Sequence, residues 1–286
     1  MKTTKTILSV AVAIVAICSA LFLALGVASP ALSTAPFAAQ VAPTVTPMPS
    51  AGGAIPIKPL TDLTSLEATV KLDVNGLING KRAQGQLTML LATNNQGKSK
   101  ATISGPLLGD IVAQVGGAAV ALFTPSAVDV YKVPQGTYIV VDGLFPICVK
   151  PKAADATKSF DDLSPQGLLT LLTDSDVARG TLVGDESLNG VAVKHYVIDG
   201  PTFLTAAQNS SNPKLREFGE ALWVAQDADL YVDATGGIPV AFRGGYSGAY
   251  APLKFEGQFG VQTELTGVNT NPRIDLPASC NNPISR

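Results

Sequence analysis

Apolar and polar residues alternate along most of the chain beyond Leu66, and the pattern is fullest between Asp227 and Leu265. There Asp-Ala-Asp-Leu-Tyr-Val-Asp passes through Ala-Thr-Gly-Gly into Ile-Pro-Val-Ala-Phe-Arg. This predicts a hairpin with Leu230 and Val232 opposite Ile238, Val240 and Phe242. Beyond Gly244-Gly245 and a bend near Pro252, Leu253, Phe255, Phe259, Val261 and Leu265 share one face. Lys254, Glu256, Gln258, Gln262 and Glu264 share the other. An antiparallel sheet with one apolar face must cover it with helices, a second sheet or a ligand.

The same period opens the domain. Leu66, Ala68, Val70, Leu72 and Val74 alternate with Glu67, Thr69, Lys71, Asp73 and Asn75. Asn79-Gly80 then turns the chain into Ala83, Gly85, Leu87, Met89 and Leu91. Asn94 to Gly97 turns it again into residues 98–104, which makes a meander. Strand composition returns at 118–123, 127–133 and 137–141, and 177–183 with 191–198 reads as a hairpin through a turn at 185–190. Between these lie segments of helical period. Leu107, Leu108, Ile111, Val112 and Val115 recur at helical spacing between Pro106 and Gly117. Ser164-Pro165 caps a helix carrying Leu168, Leu169, Leu171 and Leu172, and 201–209 and 213–222 complete four short helices. The expected fold is α+β and mainly antiparallel, with nine to eleven strands and a few short helices over the apolar face. Its glycines are read as marking turns and strand ends.

Composition changes the picture at the N-terminus. Residues 7–28 carry no charge and only Lys2 and Lys5 precede them, the pattern of an export signal or an anchor that puts the remainder outside the cytoplasm. The run is long enough to span a bilayer, and Gly26-Val27-Ala28 offers a small-residue cleavage site, so cleavage and retention both fit. Residues 29–59 hold seven prolines among Ala, Thr and Ser and read as a semi-extended linker, with the domain at 60–286. The chain has 20 basic and 22 acidic residues with no basic stripe, which argues against a nucleic-acid partner.

Candidate chemistry is sparse. His195 is the sole histidine and lies in strand phase with Val191, Val193 and Val197, the position of a structural histidine. Gly-x-Ser-x-Gly does not occur, one histidine without a thiol pair builds no zinc site, and the glycine spacing matches no phosphate loop. The expectation is therefore no catalytic set, no metal and no cofactor. Ile17 before Cys18 and the apolar residues after it depart from a lipid-attachment site. Cys148 and Cys280 remain for the exported domain, where a disulfide between them is expected and two free buried thiols are the alternative. Phe218 and Trp223, at a helix-to-strand junction, read as core.

The order of several of these pieces resembles the bacterial lipoproteins LppX, LprA, LprF and LprG, and more distantly the carrier LolA and the sensor RseB. The matching parts are the meander from Leu66, Ser-Pro-Gln-Gly-Leu-Leu-Thr-Leu-Leu at Ser164, Gly-Val-Ala-Val-Lys-His-Tyr at Gly190, and Leu-Tyr-Val-Asp-Ala-Thr-Gly-Gly-Ile-Pro-Val at Leu230. The resemblance implies a half-open antiparallel β-barrel with an apolar cavity for acyl chains and no catalytic residues. The function expected is a non-enzymatic lipid-binding or carrier protein of the cell envelope, membrane-anchored or secreted, that holds an acylated lipid or glycolipid. The rival is a sensor or scaffold module with a filled core that binds another envelope protein. For the carrier, Leu107, Leu108, Ile111, Val112, Val115, Leu168, Leu169, Leu171 and Leu172 are candidates for the cavity mouth, and Val240, Phe242, Phe255 and Phe259 for its wall.

Overall fold

The structure is a computed structural model, described here for residues 52–58, 60, 63–116, 125–143, 146–151, 174–250 and 254–285. Expectations for residues 1–51, for the strand at 118–123, for Leu253 and for the helix from Ser164 to Thr173 lie outside these residues. Among them run β1 (Gly53–Ala54), β2 (Leu66–Ile78), β3 (Lys81–Thr93), β4 (Ser99–Ser104), helix α1 (Pro106–Gly116), β5 (Ala127–Val133), β6 (Gly136–Asp142) and β7 (Ile147–Lys150). Then follow β8 (Arg179–Leu188), β9 (Val191–Ile198), α2 (Gly200–Gln208), α3 (Pro213–Ala221), β10 (Leu222–Ala225), β11 (Ala228–Asp233), β12 (Pro239–Tyr250) and β13 (Phe255–Val268). A 3-10 turn at Ala278–Asn281 and β14 (Ile284–Ser285) end the chain.

The strands form one open sheet in the order β1-β8-β9-β11-β12-β13-β2-β3-β4-β5-β6-β7-β14, with β10 added beside β12. Every pairing is antiparallel except that of β14 with β7. The fold is thus mainly antiparallel β with short helices, as the alternation predicts. At its centre β13 pairs with β2 from Phe255↔Ile78 to Val268↔Leu66, so the end of the domain is zipped onto its beginning.

Asn-Gly turns set the register of two hairpins. Asn79 (φ 52°) and Gly80 (φ 74°) join β2 to β3, and Asn189 (φ 51°) and Gly190 (φ 81°) join β8 to β9, the left-handed pair that matches strand twist. The second turn corrects the sequence reading, because β8 continues to Leu188 through residues read as loop. Asp185 and Glu186 are strand residues whose carboxylates meet Lys194 and His195 across the ladder. The chain also joins the sheet before Leu60: β1 pairs with β8, and Ile55 and Leu60 are both buried.

Several glycines sit inside strands and not at turns. Gly248, Gly257 and Gly76 stand in register across β12, β13 and β2. A Cβ on Gly257 would lie 2.5 Å from Gly76 Cα, and one on Gly76 would lie 2.4 Å from the Glu256 carbonyl oxygen. The strands approach here more closely than side chains allow, which bends the sheet toward its inner face.

That inner face carries the main core. Leu66, Val70, Leu72, Val74, Met89, Ile103, Val128, Ile139, Leu230 and Phe242 are buried there under Leu107 and Leu108 of α1 and Phe203 and Phe218 of the α2–α3 pair. Asp199 caps α2 by accepting from the Thr202 N–H at 2.9 Å, and Asn212 caps α3 by accepting from Lys214 N–H at 3.1 Å. The outer face holds a second cluster, in which Ile274, Cys280 and the half-buried Leu276 of the C-terminal segment cover Tyr131, Tyr138 and Val140. Phe218 lies in the main core as expected, whereas Trp223 does not: a bulge in β10 leaves it 54 % exposed.

Cys148 and Cys280 are bonded, with Cα atoms 5.1 Å apart and 132 residues between them in sequence. The bond ties the C-terminal segment to β7, and a loop of that size removes on the order of 5 kcal/mol of chain entropy from the unfolded state. Intact-mass analysis should find the two thiols resistant to alkylation until reduction. Cys280→Ser should lower the melting temperature by about 10 °C in calorimetry, given about 2–4 °C per kcal/mol in domains of this size.

Candidate functional site

The inner face is built by the phase of the central strands. Across β12, β13, β2 and β3 the rows Phe242-Thr263-Val70-Met89, Gly244-Val261-Leu72-Leu87 and Tyr246-Phe259-Val74-Gly85 all point inward. Gly85 has φ of 154°, which an L side chain rarely adopts, and it lies under Leu107 of α1, whose Cβ is 3.5 Å from where a Gly85 Cβ would stand.

One end of this face is aromatic. Tyr246 is ringed by Phe203 at 5.8 Å, Phe218 at 5.3 Å and Phe259 at 5.4 Å between centroids, and Phe255 continues the chain of rings from Phe259 at 6.1 Å. Edge-on and tilted contacts of this kind add to the area each ring removes from water. The Tyr246 hydroxyl is buried among them without a hydrogen-bond partner, as is the Thr263 hydroxyl in the next row but one. Burial pushes the Tyr246 phenol well above its ordinary value, so it stays a neutral donor at any physiological pH.

The residues singled out from sequence divide accordingly. Phe242 and Phe255 are buried in the inner face, and Phe259 is half-buried against it. Val240 is not with them. A bulge between Tyr231 and Val232 in the β11–β12 ladder turns it to the outer face, against Val193, Tyr231 and Ala241. Leu107, Leu108 and Ile111 are fully buried between α1 and the sheet. The side chains of Val112 and Val115, and Leu168, Leu169, Leu171 and Leu172 altogether, lie outside the described residues. Sequence reading missed Tyr246, Thr263 and Phe203; the alternation in 239–250 already placed Tyr246 in phase with Phe242.

His195 lies on the outer face between two carboxylates, with Nδ1 2.8 Å from Glu186 and Nε2 2.8 Å from Asp229, and its ring stacks on Tyr231 at 4.5 Å. Both nitrogens are occupied, which is the arrangement of a structural histidine. Among the described residues, no three side chains of His, Cys, Asp or Glu converge as a metal site would require.

A polar cavity of about 850 Å³ opens beside α2, lined by Asp176, Arg179, Asp199, Thr202, Thr205 and Asn209 among others. Asp176 closes one side of it. Its carboxylate accepts from Ser210 Oγ at 2.6 Å and from Ser211 N–H at 3.2 Å, and Asp174 accepts from Asn212 Nδ2 at 3.0 Å. The segment before β8 is thereby clasped to the α2–α3 junction. Arg179 is the cation lining this cavity and it faces Asp176 and Asp199, so the cavity has no excess positive charge for an anion.

With this geometry in place, comparison with solved structures returns proteins that the sequence resemblance names. The chain is similar to LppX and LprF. The Mycobacterium tuberculosis lipoprotein LppX is 14 % identical, over 75 % of this chain and 91 % of that one, with a TM-score of 0.38. LprF from Mycobacterium bovis is 14 % identical over 76 % and 90 %, with a TM-score of 0.41. A putative outer membrane lipoprotein-sorting protein domain from Vibrio parahaemolyticus is 7 % identical over 73 % and 87 %, with a TM-score of 0.22. No family model matches the chain, and no curated protein matches it by sequence.

The Asp176 clasp gives the domain an acid-sensitive point. The Ser210 hydroxyl first, and the Ser211 N–H next, hold the Asp176 carboxyl below its ordinary value. A group depressed in the folded state stabilises above the unfolded value near 3.9, and that stability is lost as pH falls through the depressed value. Thermal melts between pH 6 and pH 2 should show this loss, and Asp176→Asn should flatten it. An unchanged acid limb in the variant would show that the clasp does not contribute.

Proposed function

We propose that this chain is a non-enzymatic, extracytoplasmic lipid-binding protein that lays an acyl chain of a lipid or glycolipid against the inner face of its sheet. The observation that carries the proposal is the aromatic end of that face, where Tyr246 and Thr263 keep buried hydroxyls without partners inside an otherwise apolar wall. A buried hydroxyl without a hydrogen bond costs about 1–3 kcal/mol, so retaining two favours a ligand that brings its own polar atoms, such as an ester or headgroup oxygen. The acyl chain supplies the rest, at ~0.8 kcal/mol for each CH₂ taken out of water.

Supporting features are a bent sheet with one apolar face, short helices over it, and the charge-free run at residues 7–28 that suits export. The mouth of the site is proposed where the sequence concentrates leucine, at Leu168, Leu169, Leu171 and Leu172. The full burial of Leu107, Leu108 and Ile111 gives α1 a packing role in the same proposal, as the wall against which the opening is built.

Native mass spectrometry of the full chain purified from its source membrane should show co-purifying lipid, and a chain that stays ligand-free when offered diverse acylated lipids would overturn the proposal. Tyr246→Phe gives the sharper test. Removing an unpartnered hydroxyl should leave the melting temperature of the lipid-free protein equal or slightly higher, while lipid affinity falls about tenfold, the equivalent of one hydrogen bond. A variant that binds lipid as the parent does would remove Tyr246 from the site. Leu172→Ser should weaken lipid binding with little change in melting, whereas Leu108→Ala should cost stability by roughly 2–5 kcal/mol through the cavity it leaves.

A further inference from the structure

The outer face of the central strands carries a feature that lipid binding does not use. Where the inner rows are apolar, the outer rows between them read Gln226-Gly245-Gly260-Asp73-Gln86 and Ser247-Gln258-Asn75-Gln84, in register across the sheet. A trough of about 490 Å³ lies over Gly245 and Gly260 and is bounded by these side chains. The two glycines have different reasons to be there. A Cβ on Gly245 would stand 2.4 Å from Gln226 Oε1, so Gly245 makes room for the Gln226 amide to lie across β12. A Cβ on Gly260 would meet nothing closer than Asp73 Cβ at 3.8 Å, so Gly260 is simply the open floor.

The chemistry of the walls is narrow. Among the described residues, five primary amides face the trough with one carboxylate, and no lysine or arginine lines it. Asp73 accepts from Gln86 Nε2 at 2.9 Å and Gln84 accepts from Arg82, which leaves the exposed amides of Gln226, Gln258 and Asn75 for a ligand. Each presents a donor and an acceptor side by side; Gln258 and Asn75 stand on neighbouring strands about 4.8 Å apart, with Gln226 in the adjacent row. Vicinal hydroxyls, which also donate and accept, complement such a row. A phosphate or sulfate would meet the Asp73 carboxylate, and a peptide strand finds no free backbone groups in the middle of a sheet. β10, which ends one residue before Gln226, carries Trp223 and Val224, both more than half exposed, and Val224 pairs with Ser247 of the outer row. An exposed indole offers the apolar face of a sugar ring a surface to stack on.

We propose that this outer trough is a binding site for a neutral carbohydrate, contacted through the amides of Gln226, Gln258 and Asn75. The amide side chains point away from the inner face, because successive residues of a strand point to opposite sides of the sheet, and Val74, Gly85, Tyr246 and Phe259 of the row between them complete the lining. A chain with both sites holds a lipid on one surface and a glycan on the other.

Trp223 is the single tryptophan of the chain and lies three residues before Gln226, so its fluorescence is the optical probe. The full-length protein should be titrated with neutral oligosaccharides, cellohexaose, maltohexaose and a mannan hexamer, and with the anionic polymer polygalacturonate. Saturation of the Trp223 signal, confirmed by calorimetry, is expected with a neutral oligosaccharide and not with the anionic one. Gly260→Val should weaken that binding at least about tenfold by filling the floor, since a β-branched residue suits a strand position with open space around it. It should leave the melting temperature equal or higher and lipid co-purification unchanged. Gln258→Ala should weaken binding in the same direction. Failure of every neutral oligosaccharide to bind at concentrations of about 10 mM, preference for polygalacturonate, or undiminished binding by a folded Gly260→Val would each overturn the proposal, and none of these results bears on the lipid site.

Discussion

The ladder between β2 and β13 is the contact on which the rest of the structure depends. It joins residues 66–78 to residues 255–268, and without it the meander of β2 to β7 and the sheet of β8 to β12 would be two pieces with separate apolar faces. Zipping them edge to edge makes one inner face, and the glycine row at Gly248, Gly257 and Gly76 bends it at the seam. Such pairing is non-local, so the entropy of closing a very large loop must be met before any packing rewards it. The alternating inward residues of both strands, Leu72 and Val74 against Val261 and Phe259, are what meets it.

Bending has a consequence for the two faces. Inward residues converge and pack densely, as the fully buried Phe242, Met89 and Ile103 show. Outward residues diverge, and the fold treats them in three ways. Over β5 to β7 the C-terminal segment covers them and the Cys148–Cys280 bond holds that cover in place. Over β9, β11 and β12 a small cluster forms around Tyr231, with His195 stacked on it and Arg243 above its ring at 5.5 Å. Over the seam itself the outward residues are amides, Asp73, Ser247 and glycines.

Much of this was legible in the alternation, because a side-chain period of two fixes which residues share a face once the strands are placed. Leu230 opposite Phe242, the meander from Leu66 and the turn at Asn79-Gly80 follow from that period, and the pairing of Cys148 with Cys280 from the expectation of export. What the period cannot register is a bulge. One extra residue sends Val240 to the outer face and leaves Trp223 in solvent, although its apolar neighbours Phe242 and Leu222 are core. Polarity misleads in the same way in β8, where Asp185 and Glu186 read as a loop until their cross-strand partners Lys194 and His195 are seen. Mid-strand glycines are the third gap. In sequence Gly76, Gly257 and Gly260 resemble turn residues, and their roles as bend and floor depend on register with strands far away in the chain.

Gly257 and Gly260 belong to the same strand and are separated by one turn of the pleat and a half, which puts them on opposite faces. Gly257 has φ of 154° and backbone pressed against Gly76, so no other residue can replace it without moving the strands apart. Gly260 has no such constraint, since its surroundings would accept a side chain. A glycine in a strand interior costs roughly 0.5–1 kcal/mol relative to alanine and gives up the contacts a larger residue would make. For Gly257 the bend of the inner face offsets that cost. For Gly260 no packing in the fold offsets it, and the one thing its bareness creates is the floor of the trough between Gln226, Gln258 and Asp73.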